Sequence, residues 1–151
     1  DLNGLSPEAF LKKLGAVCEI APGGSGYPAS KHELGLYLGG CWQVLRFREN
    51  LVHTGDAIGQ LDVTLLQQHV LSPLLGITDP RTSKRINFVG GIRGTAELER
   101  LVNGGEHACA FSVFPTSIED LMAIADAGGI MPPKSTWFEP KLRDGMFGHL
   151  L

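Results

Sequence analysis

The sequence contains few cysteines and no long apolar run. Cysteine occurs three times among 151 residues, at Cys18, Cys41 and Cys109, and never as Cys-x-x-Cys. This odd, widely spaced set predicts buried reduced thiols and excludes a disulfide framework. A membrane helix needs ~20 consecutive apolar residues, and no run in the sequence approaches that length. We therefore expect no membrane partner, and we expect a reducing, cytoplasmic location.

Charge is also scarce and has no strong excess of one sign. Charged residues make up 19% of the chain and hydrophobic residues 43%, which excludes a disordered tail and a coiled coil. Acidic residues number 16 and basic residues 13, a formal net charge of −3. Binding to nucleic acid is therefore not expected, and any site for an anion has to be local. The five histidines lack the spacing of zinc ligands, so they predict no metal site.

The length of the chain fits a single domain, at roughly 100–200 residues per domain. The sequence opens with Asp1-Leu2-Asn3-Gly4, without an initiator Met and without the basic-then-apolar pattern of a signal peptide in these first residues. We expect residues 1–151 to form one α+β domain, the C-terminal fragment of a longer protein whose missing N-terminal half is its partner. The sequence predicts no oligomeric state.

Helix signals recur along the chain and alternate with strand signals. Residues suited to an N-cap precede apolar residues at helical spacing. They predict four helices that begin at Ser6, Asp62, Thr95 and Ser117. Because the strand signals include a hairpin, we expect an α+β fold in which about four helices pack on a mixed or largely antiparallel sheet.

Strand signals are strongest between residues 32 and 48. Apolar residues alternate there, and Gly39-Gly40 interrupts the alternation as the type I′ turn of a β-hairpin would. The apolar run 108–114 predicts a central strand that is buried on both faces. Shorter strands are expected at residues 17–20, 86–89, 135–138 and 146–150.

A locally basic stretch at residues 79–94 is the first candidate site. It contains one acid, Asp79, and four basic residues, Arg81, Lys84, Arg85 and Arg93. Gly90 and Gly91 follow an expected strand and precede an expected helix. An anion there would meet backbone N–H groups, a helix N-terminus and an arginine together. The alternative interpretation is a solvated basic edge strand with a glycine turn.

A second candidate site follows the proline pair Pro132-Pro133, which stiffens the chain. Three residues that suit a phosphate or a carboxylate come next: Lys134, Ser135 and Thr136. Glu139 is a candidate to hold Mg²⁺ or to act as a base, and the alternative is an ion pair with Lys141.

Three segments, 79–94, 115–128 and 131–142, resemble the C-terminal portion of a bacterial and archaeal family. The family is catalogued as domain of unknown function ten-fifteen, and its members are often labelled ParB-like. The resemblance extends over nearly the whole chain and is most specific in its last half. Members are similar to ParB-like and free-serine-kinase proteins through an upstream Asp-Gly-His-His-Arg box, which this sequence does not contain.

The resemblance implies that the missing half carries a phosphate-cradling box, to which this chain adds Arg93 and Lys134. The first hypothesis is an ATP-dependent, magnesium-using kinase for a small hydroxy amino acid such as serine. Asp79 and Glu139 would then be the catalytic acids near the metal. A structural or interface domain with no activity of its own is the second hypothesis. A ParB-like module that binds nucleic acid is the third, and the net charge counts against it.

Overall fold

The computed structural model describes residues 1–52, 55–132 and 135. Within them a four-stranded sheet is combined with four α-helices, an α+β architecture. The strands are β1 (Cys18–Pro22), β2 (Glu33–Leu38), β3 (Cys41–Phe47) and β4 (Cys109–Val113). The helices are α1 (Pro7–Leu14), α2 (Asp62–Leu66, continued by the π turn Gln67–Leu71), α3 (Gly94–Asn103) and α4 (Ile118–Asp126). In this part of the chain, no helix has the length and apolar character needed to span a bilayer.

The strands pair in the order β1-β3-β2-β4, and every pairing is antiparallel. β2 and β3 form the expected hairpin, with Gly39 and Gly40 between them at φ values of 61° and 83°. A type I′ turn requires positive φ at both central residues, and glycine adopts it without a steric cost. The hairpin and the antiparallel sheet predicted from the sequence are therefore confirmed.

One face of the sheet, which we call the core face, carries the apolar side chains of β2 and β3. Leu34 is paired with Leu45 of β3 and with Val113 of β4, and directly paired residues point to the same face. Side chains of α1 and α2 join them in one buried cluster, whose members include Phe10, Leu14, Leu36, Leu65 and Val70. The main core therefore lies between the core face and these two helices.

The opposite face of the sheet, which we call the outer face, is covered by α3. Tyr37 Oη donates a hydrogen bond to Asn103 Oδ1 at 3.2 Å, and Trp42 Nε1 donates one to Glu99 Oε1 at 2.7 Å. The Tyr37 and Trp42 rings also contact each other, with 5.1 Å between centroids. The sheet thus lies between α1 and α2 on one side and α3 on the other.

The helix starts predicted from capping residues are correct at α1 and α4. Ser6 Oγ accepts a hydrogen bond from the N–H of Ala9, and Ser117 Oγ accepts one from the N–H of Asp120. The prediction is wrong at α2, where Leu61 is the N-cap and Asp62 is the first helical residue. The carboxylate of Asp62 accepts a hydrogen bond from a distant part of the chain instead, and so it does not cap its own helix.

Replacement of the α4 cap, Ser117→Ala, is expected to lower the free energy of unfolding by about 1 kcal/mol. The reason is that the N–H of Asp120 loses its acceptor, the Ser117 hydroxyl. The reciprocal hydrogen bond from Ser117 N–H to Asp120 Oδ2 is then weakened, because the first bond no longer holds the two residues in place. Urea unfolding measures the difference. Ser30→Ala is the control, because Ser30 is exposed and its side chain makes no hydrogen bond within the described residues. Equal stabilities of the two variants would contradict the prediction.

Several predicted strands need correction. Residues 86–89 form no strand. Ile86 and Phe88 would point to the same face of a strand, but Ile86 packs against the core cluster while Phe88 is exposed. The run 108–114 does contain β4, but β4 lies at an edge of the sheet and is only half-buried. The strand expected at 17–20 is present as β1. Ser135 is in a bend, and the other residues of the strands expected at 135–138 and 146–150 lie outside the described residues.

Candidate functional site

The arginines of the basic stretch 79–94 are paired with groups of the chain itself. Arg81 binds Asp79 through Nε–Oδ1 at 3.1 Å and Nη2–Oδ2 at 3.4 Å, and its N–H also donates to Oδ1. The hydrogen bonds from Arg81 lower the pKa of Asp79 below its usual value. Arg93 Nη1 lies 3.8 Å from Glu97 Oε1, one helical turn ahead. Asp79 is therefore held as a carboxylate by an arginine rather than left open for a metal.

The remaining members of this stretch do not gather around one point. Arg85 donates hydrogen bonds to the carbonyl of Leu75, at 2.7 Å, and to the carboxylate of Asp1. Leu75 belongs to the cluster on the core face, whereas Arg93 immediately precedes α3 on the outer face. Arg85 and Arg93 are thus attached to layers on opposite faces of the sheet. Lys84 is exposed and makes no ion pair within the part of the chain that the structure describes.

The two glycines of the stretch do not use the conformations that only glycine adopts. Gly90 has φ −64° and ψ 138°, and Gly91 begins a 3₁₀ turn that ends at Arg93. The positive φ occurs at Gly94, at 66°, where an added Cβ would lie 3.1 Å from Tyr27 Oη. The backbone conformation and the close contact that favour glycine are therefore found at Gly94, the first residue of α3, where the backbone lies close to Tyr27.

The second motif begins beside the turn between β4 and α4. Thr116 Oγ1 donates a hydrogen bond to the carbonyl of Ser135 at 3.0 Å. Ser135 Oγ donates one to the carbonyl of Pro132 at 2.6 Å, which closes a local turn. Lys134, Thr136 and Glu139 lie outside the described residues. Of these candidate residues the structure thus describes Ser135, which lies next to Thr116.

Sequence reasoning missed a partly buried group of polar residues in the same region, which we call the Asp62 cluster: Lys31, His32, Asp62, Thr116 and Asp120. Asp62 is 7% exposed. Its Oδ1 accepts a hydrogen bond from His32 N–H at 2.9 Å and lies 3.2 Å from His32 Nδ1. Lys31 Nζ donates to Asp120 Oδ1 at 2.5 Å. Two carboxylates are therefore held by two consecutive residues that precede β2.

The backbone at His32 is unusual, with φ at 67° in a residue that is not glycine. Such a conformation costs of order 1–3 kcal/mol and persists where the surroundings over-determine it. The surroundings here are the carboxylate of Asp62, which His32 contacts with both backbone and ring, and the pairing of Phe47 N–H with the His32 carbonyl at 3.0 Å. These contacts fix the position of Asp62 relative to the start of β2.

The two carboxylates of the cluster have pKa values shifted in opposite directions. Burial raises the pKa of Asp62, against the opposing influence of His32 and Lys31. Burial also acts to raise the pKa of Asp120, but the hydrogen bond and charge of Lys31 outweigh it, and that pKa is lowered. Such divergence is common where two acids have different roles in one site. It makes Asp62 the more readily protonated of the two.

A small cavity is lined by four members of the Asp62 cluster, namely Lys31, Asp62, Thr116 and Asp120. The rest of its wall is largely apolar and is formed by Leu61, Val63, Val113, Phe114 and Pro115. Its volume is about 10 Å³, close to the minimum that holds one water molecule. The cavity therefore admits one small polar group.

No spacing in the sequence could have revealed this cluster. His32 and Asp62 are 30 positions apart, and Lys31 and Asp120 are 89 positions apart. The sequence predicted Asp62 as a helix cap, since an acid before an apolar helix normally has that role. The only local signal is the pair Lys31-His32 directly before a strong strand pattern, which specifies no chemistry by itself.

The cysteines offer no reactive thiolate in the interior. Burial raises the pKa of Cys18 to about 12 and that of Cys109 to about 11, so both thiols are protonated near neutral pH. The burial predicted for the cysteines is confirmed at Cys18, is partial at Cys109, and is wrong at Cys41, which is exposed next to the hairpin turn. No nucleophilic role follows for Cys18 or Cys109.

Among the described residues, no three His, Cys, Asp or Glu side chains come together as ligands for a metal ion. Asp79 is bound by Arg81, and Asp120 is bound by Lys31. Each of these two carboxylates is therefore already paired with a basic side chain. The family resemblance stays a prediction, since no protein-family model, no curated protein and no solved structure matches the chain.

Proposed function

We propose that the chain binds a phosphate-bearing ligand beside Ser135 and forms part of an ATP-dependent kinase for a small hydroxy amino acid such as serine. The single observation that carries this proposal is the hydrogen bond from Thr116 to Ser135. It brings Ser135, the described member of the motif Lys134-Ser135-Thr136, beside the Asp62 cluster, because Thr116 also lines the small cavity.

The residue types at this place suit phosphoryl transfer. That reaction depends mainly on positioning and on neutralising charge. Lys134 precedes Ser135 in the sequence, whereas Lys31, which lines the cavity, already binds Asp120. The arginines of residues 79–94 support the proposal less well, because acids or carbonyls of the chain occupy them. We therefore assign the phosphate to the second motif. ATP and magnesium are the cofactors that the proposed reaction requires.

The test is the binding of inorganic phosphate and of Mg²⁺-ATP to the 151-residue chain, measured by titration calorimetry. Lys134→Ala is expected to raise the dissociation constant for phosphate at least about tenfold, since a hydrogen bond to a charged group contributes about 1.5–3 kcal/mol. Lys12→Ala is the matched control, because Lys12 is an exposed lysine on α1. Absence of phosphate binding, or equal binding by both variants, would overturn the proposal.

A structural or interface domain is the second candidate function. Large apolar side chains are exposed on α4 and just beyond it, at Ile118 (61%), Met122 (59%) and Ile130 (86%). Ile118 and Met122 are one turn apart on α4, and exposed apolar groups that lie close together are typical of contact surfaces. An interface domain would show no specific binding of phosphate, so the same titration distinguishes the two candidates. The third candidate, a nucleic-acid-binding module, is disfavoured because Arg81, Arg85 and Arg93 are already paired.

A further inference from the structure

We infer that a second copy of this chain pairs with the free edge of β4, so that the four-stranded sheets of the two copies become one continuous sheet. The pairing is antiparallel and is centred on Phe111, about a twofold axis perpendicular to the sheet. This inference goes beyond the proposed function and does not depend on the phosphate site. It assigns to β4 an interaction surface whose partner is the same strand of another copy.

The outer edge of β4 is open. β4 pairs with β2 on one side, and an antiparallel strand directs the N–H and C=O groups of every second residue away from such a partner. Within the described residues, no backbone hydrogen bond reaches Cys109–Val113 from any element other than β2. A row of N–H and C=O groups at strand spacing is matched by another extended backbone. The partner that fits this edge is therefore a β-strand.

The two edges of the sheet differ in how they are protected. β1, the other edge strand, contains Glu19, which is exposed, and Pro22, which has no N–H to donate. Charged residues and prolines are common means by which edge strands avoid pairing with other chains. β4 has the sequence Cys-Ala-Phe-Ser-Val and contains neither. Pairing between chains is therefore expected at β4 and not at β1.

The sequence of β4 is complementary to itself in the antiparallel direction. When Phe111 lies opposite its own counterpart, Cys109 faces Val113 of the other copy. In the same register Ala110 faces Ser112, so no pair brings like charges together. Cys109, Phe111 and Val113 pack against the core cluster but are only half-buried. The second copy therefore covers apolar surface that the single chain leaves accessible to water.

The protection of β1 limits the assembly to two copies. Two chains joined through β4 leave a β1 strand at each outer edge of the combined sheet. Head-to-tail pairing of β4 with β1 could continue without end, whereas a twofold contact closes on itself. Glu19 and Pro22 thus favour the closed dimer over a growing sheet.

Disulfide trapping tests the register of this contact. Val113→Cys, made together with Cys41→Ser to remove the exposed thiol, places a new thiol opposite Cys109 of the other copy. Directly paired residues of antiparallel strands have Cα atoms about 4.5–5.5 Å apart, which suits a disulfide. Within one chain, positions 109 and 113 are about 14 Å apart along the strand, because a strand rises about 3.4 Å per residue. A disulfide between Cys109 and the introduced thiol therefore forms only between two copies.

The expected result is a covalent dimer after mild oxidation, in which mass spectrometry finds Cys109 linked to the introduced thiol. Ala21→Cys in the same background is the control, because Ala21 is exposed on the protected edge strand β1. Its yield of covalent dimer is expected to be at least about tenfold lower. Equal yields from the two variants, or a covalent dimer linked through other cysteines, would overturn the inference.

Sedimentation of the unaltered 151-residue chain measures the association without a covalent link. As the concentration rises to about 1 mM, the mass is expected to increase from that of the 16.2-kDa chain to twice that value. Ala110→Lys places a charge on the open edge and is expected to raise the dissociation constant of the dimer at least about tenfold. Ala21→Lys, the same change on β1, is the control and is expected to leave that constant unchanged.

Amide hydrogen exchange of residues 109–113 identifies what covers the edge if the chain stays a monomer. Slow exchange in a monomer would mean that another segment of the same chain pairs with β4, and fast exchange would mean that the edge stays open. Either result overturns the inference, and so do equal dissociation constants for Ala110→Lys and Ala21→Lys. Thermal unfolding verifies that each variant is folded. If Ala110→Lys does not fold, the disulfide trapping decides.

Discussion

Phe10→Ala is expected to lower the free energy of unfolding by about 4 kcal/mol, the largest effect of any single change considered for this chain. Phe10 is on α1 and is 0% exposed. It belongs to the cluster that fills the space between the core face and the helices, together with Leu14 and Leu34. Removal of the ring loses its apolar burial and leaves a cavity that the neighbouring side chains fill only in part.

The measurement is chemical denaturation followed by circular dichroism, with Lys12→Ala as the control on the same helix. Lys12 is exposed in the last turn of α1, so its replacement should change the stability by no more than about 0.5 kcal/mol. Phe10→Leu should fall between the two, because it retains most of the buried apolar volume. A loss for Phe10→Ala as small as the loss for Lys12→Ala would show that α1 does not pack on the sheet.

Gly35→Ala is expected to lower the free energy of unfolding by about 3 kcal/mol, although it adds a single methyl group. Gly35 lies on the outer face, paired with Val44 and with Ser112. A Cβ at this position would overlap with Ser112 Oγ, and it would lie 3.1 Å from Trp42 Cζ3 and 3.2 Å from the carbonyl oxygen of Gly26. The Gly26 oxygen is a backbone atom, and a hydrogen bond to Glu99 holds the indole ring of Trp42. Neither group can therefore move away easily to make room for the methyl group.

A double-mutant cycle with Ser112→Ala tests this reason directly. Ser112 Oγ donates a hydrogen bond to the Gly26 carbonyl at 2.5 Å, so Ser112→Ala alone is destabilising by about 1 kcal/mol. In the Gly35→Ala background the same change removes the atom that the new methyl group overlaps. The double variant is therefore expected to be more stable than the sum of the single effects predicts. Simple additivity would mean that the overlap with Ser112 is not the cause.

Elements with strong local signals were predictable from the sequence. Ser6 and Ser117 carry the side-chain oxygens that cap α1 and α4, and Gly39-Gly40 supplies the backbone conformation of the hairpin turn. Each of these features is decided by a few consecutive residues. Asp62 has the same local appearance as a cap, but its carboxylate binds His32 from another part of the chain.

The position of β4 could not be predicted from its composition. An apolar run predicts burial, but whether a strand is central or at an edge depends on which strands pair with it. Here β3 occupies the place between β1 and β2, so β4 is left at the edge next to β2. The candidate site was unpredictable for the same reason, since Lys31, Asp62, Thr116 and Ser135 meet only when the whole sheet is assembled.

The pairing of β2 with β4 has a consequence for the kinetics of folding. β1, β2 and β3 are near neighbours in sequence, and the hairpin can form from contacts within a short span. Joining Leu36 to Phe111 requires closure of a long loop, whose entropic cost delays such contacts. Thr116 and Asp120 follow β4 directly. An intermediate in which β4 has not yet docked would therefore have a folded hairpin but no assembled Asp62 cluster.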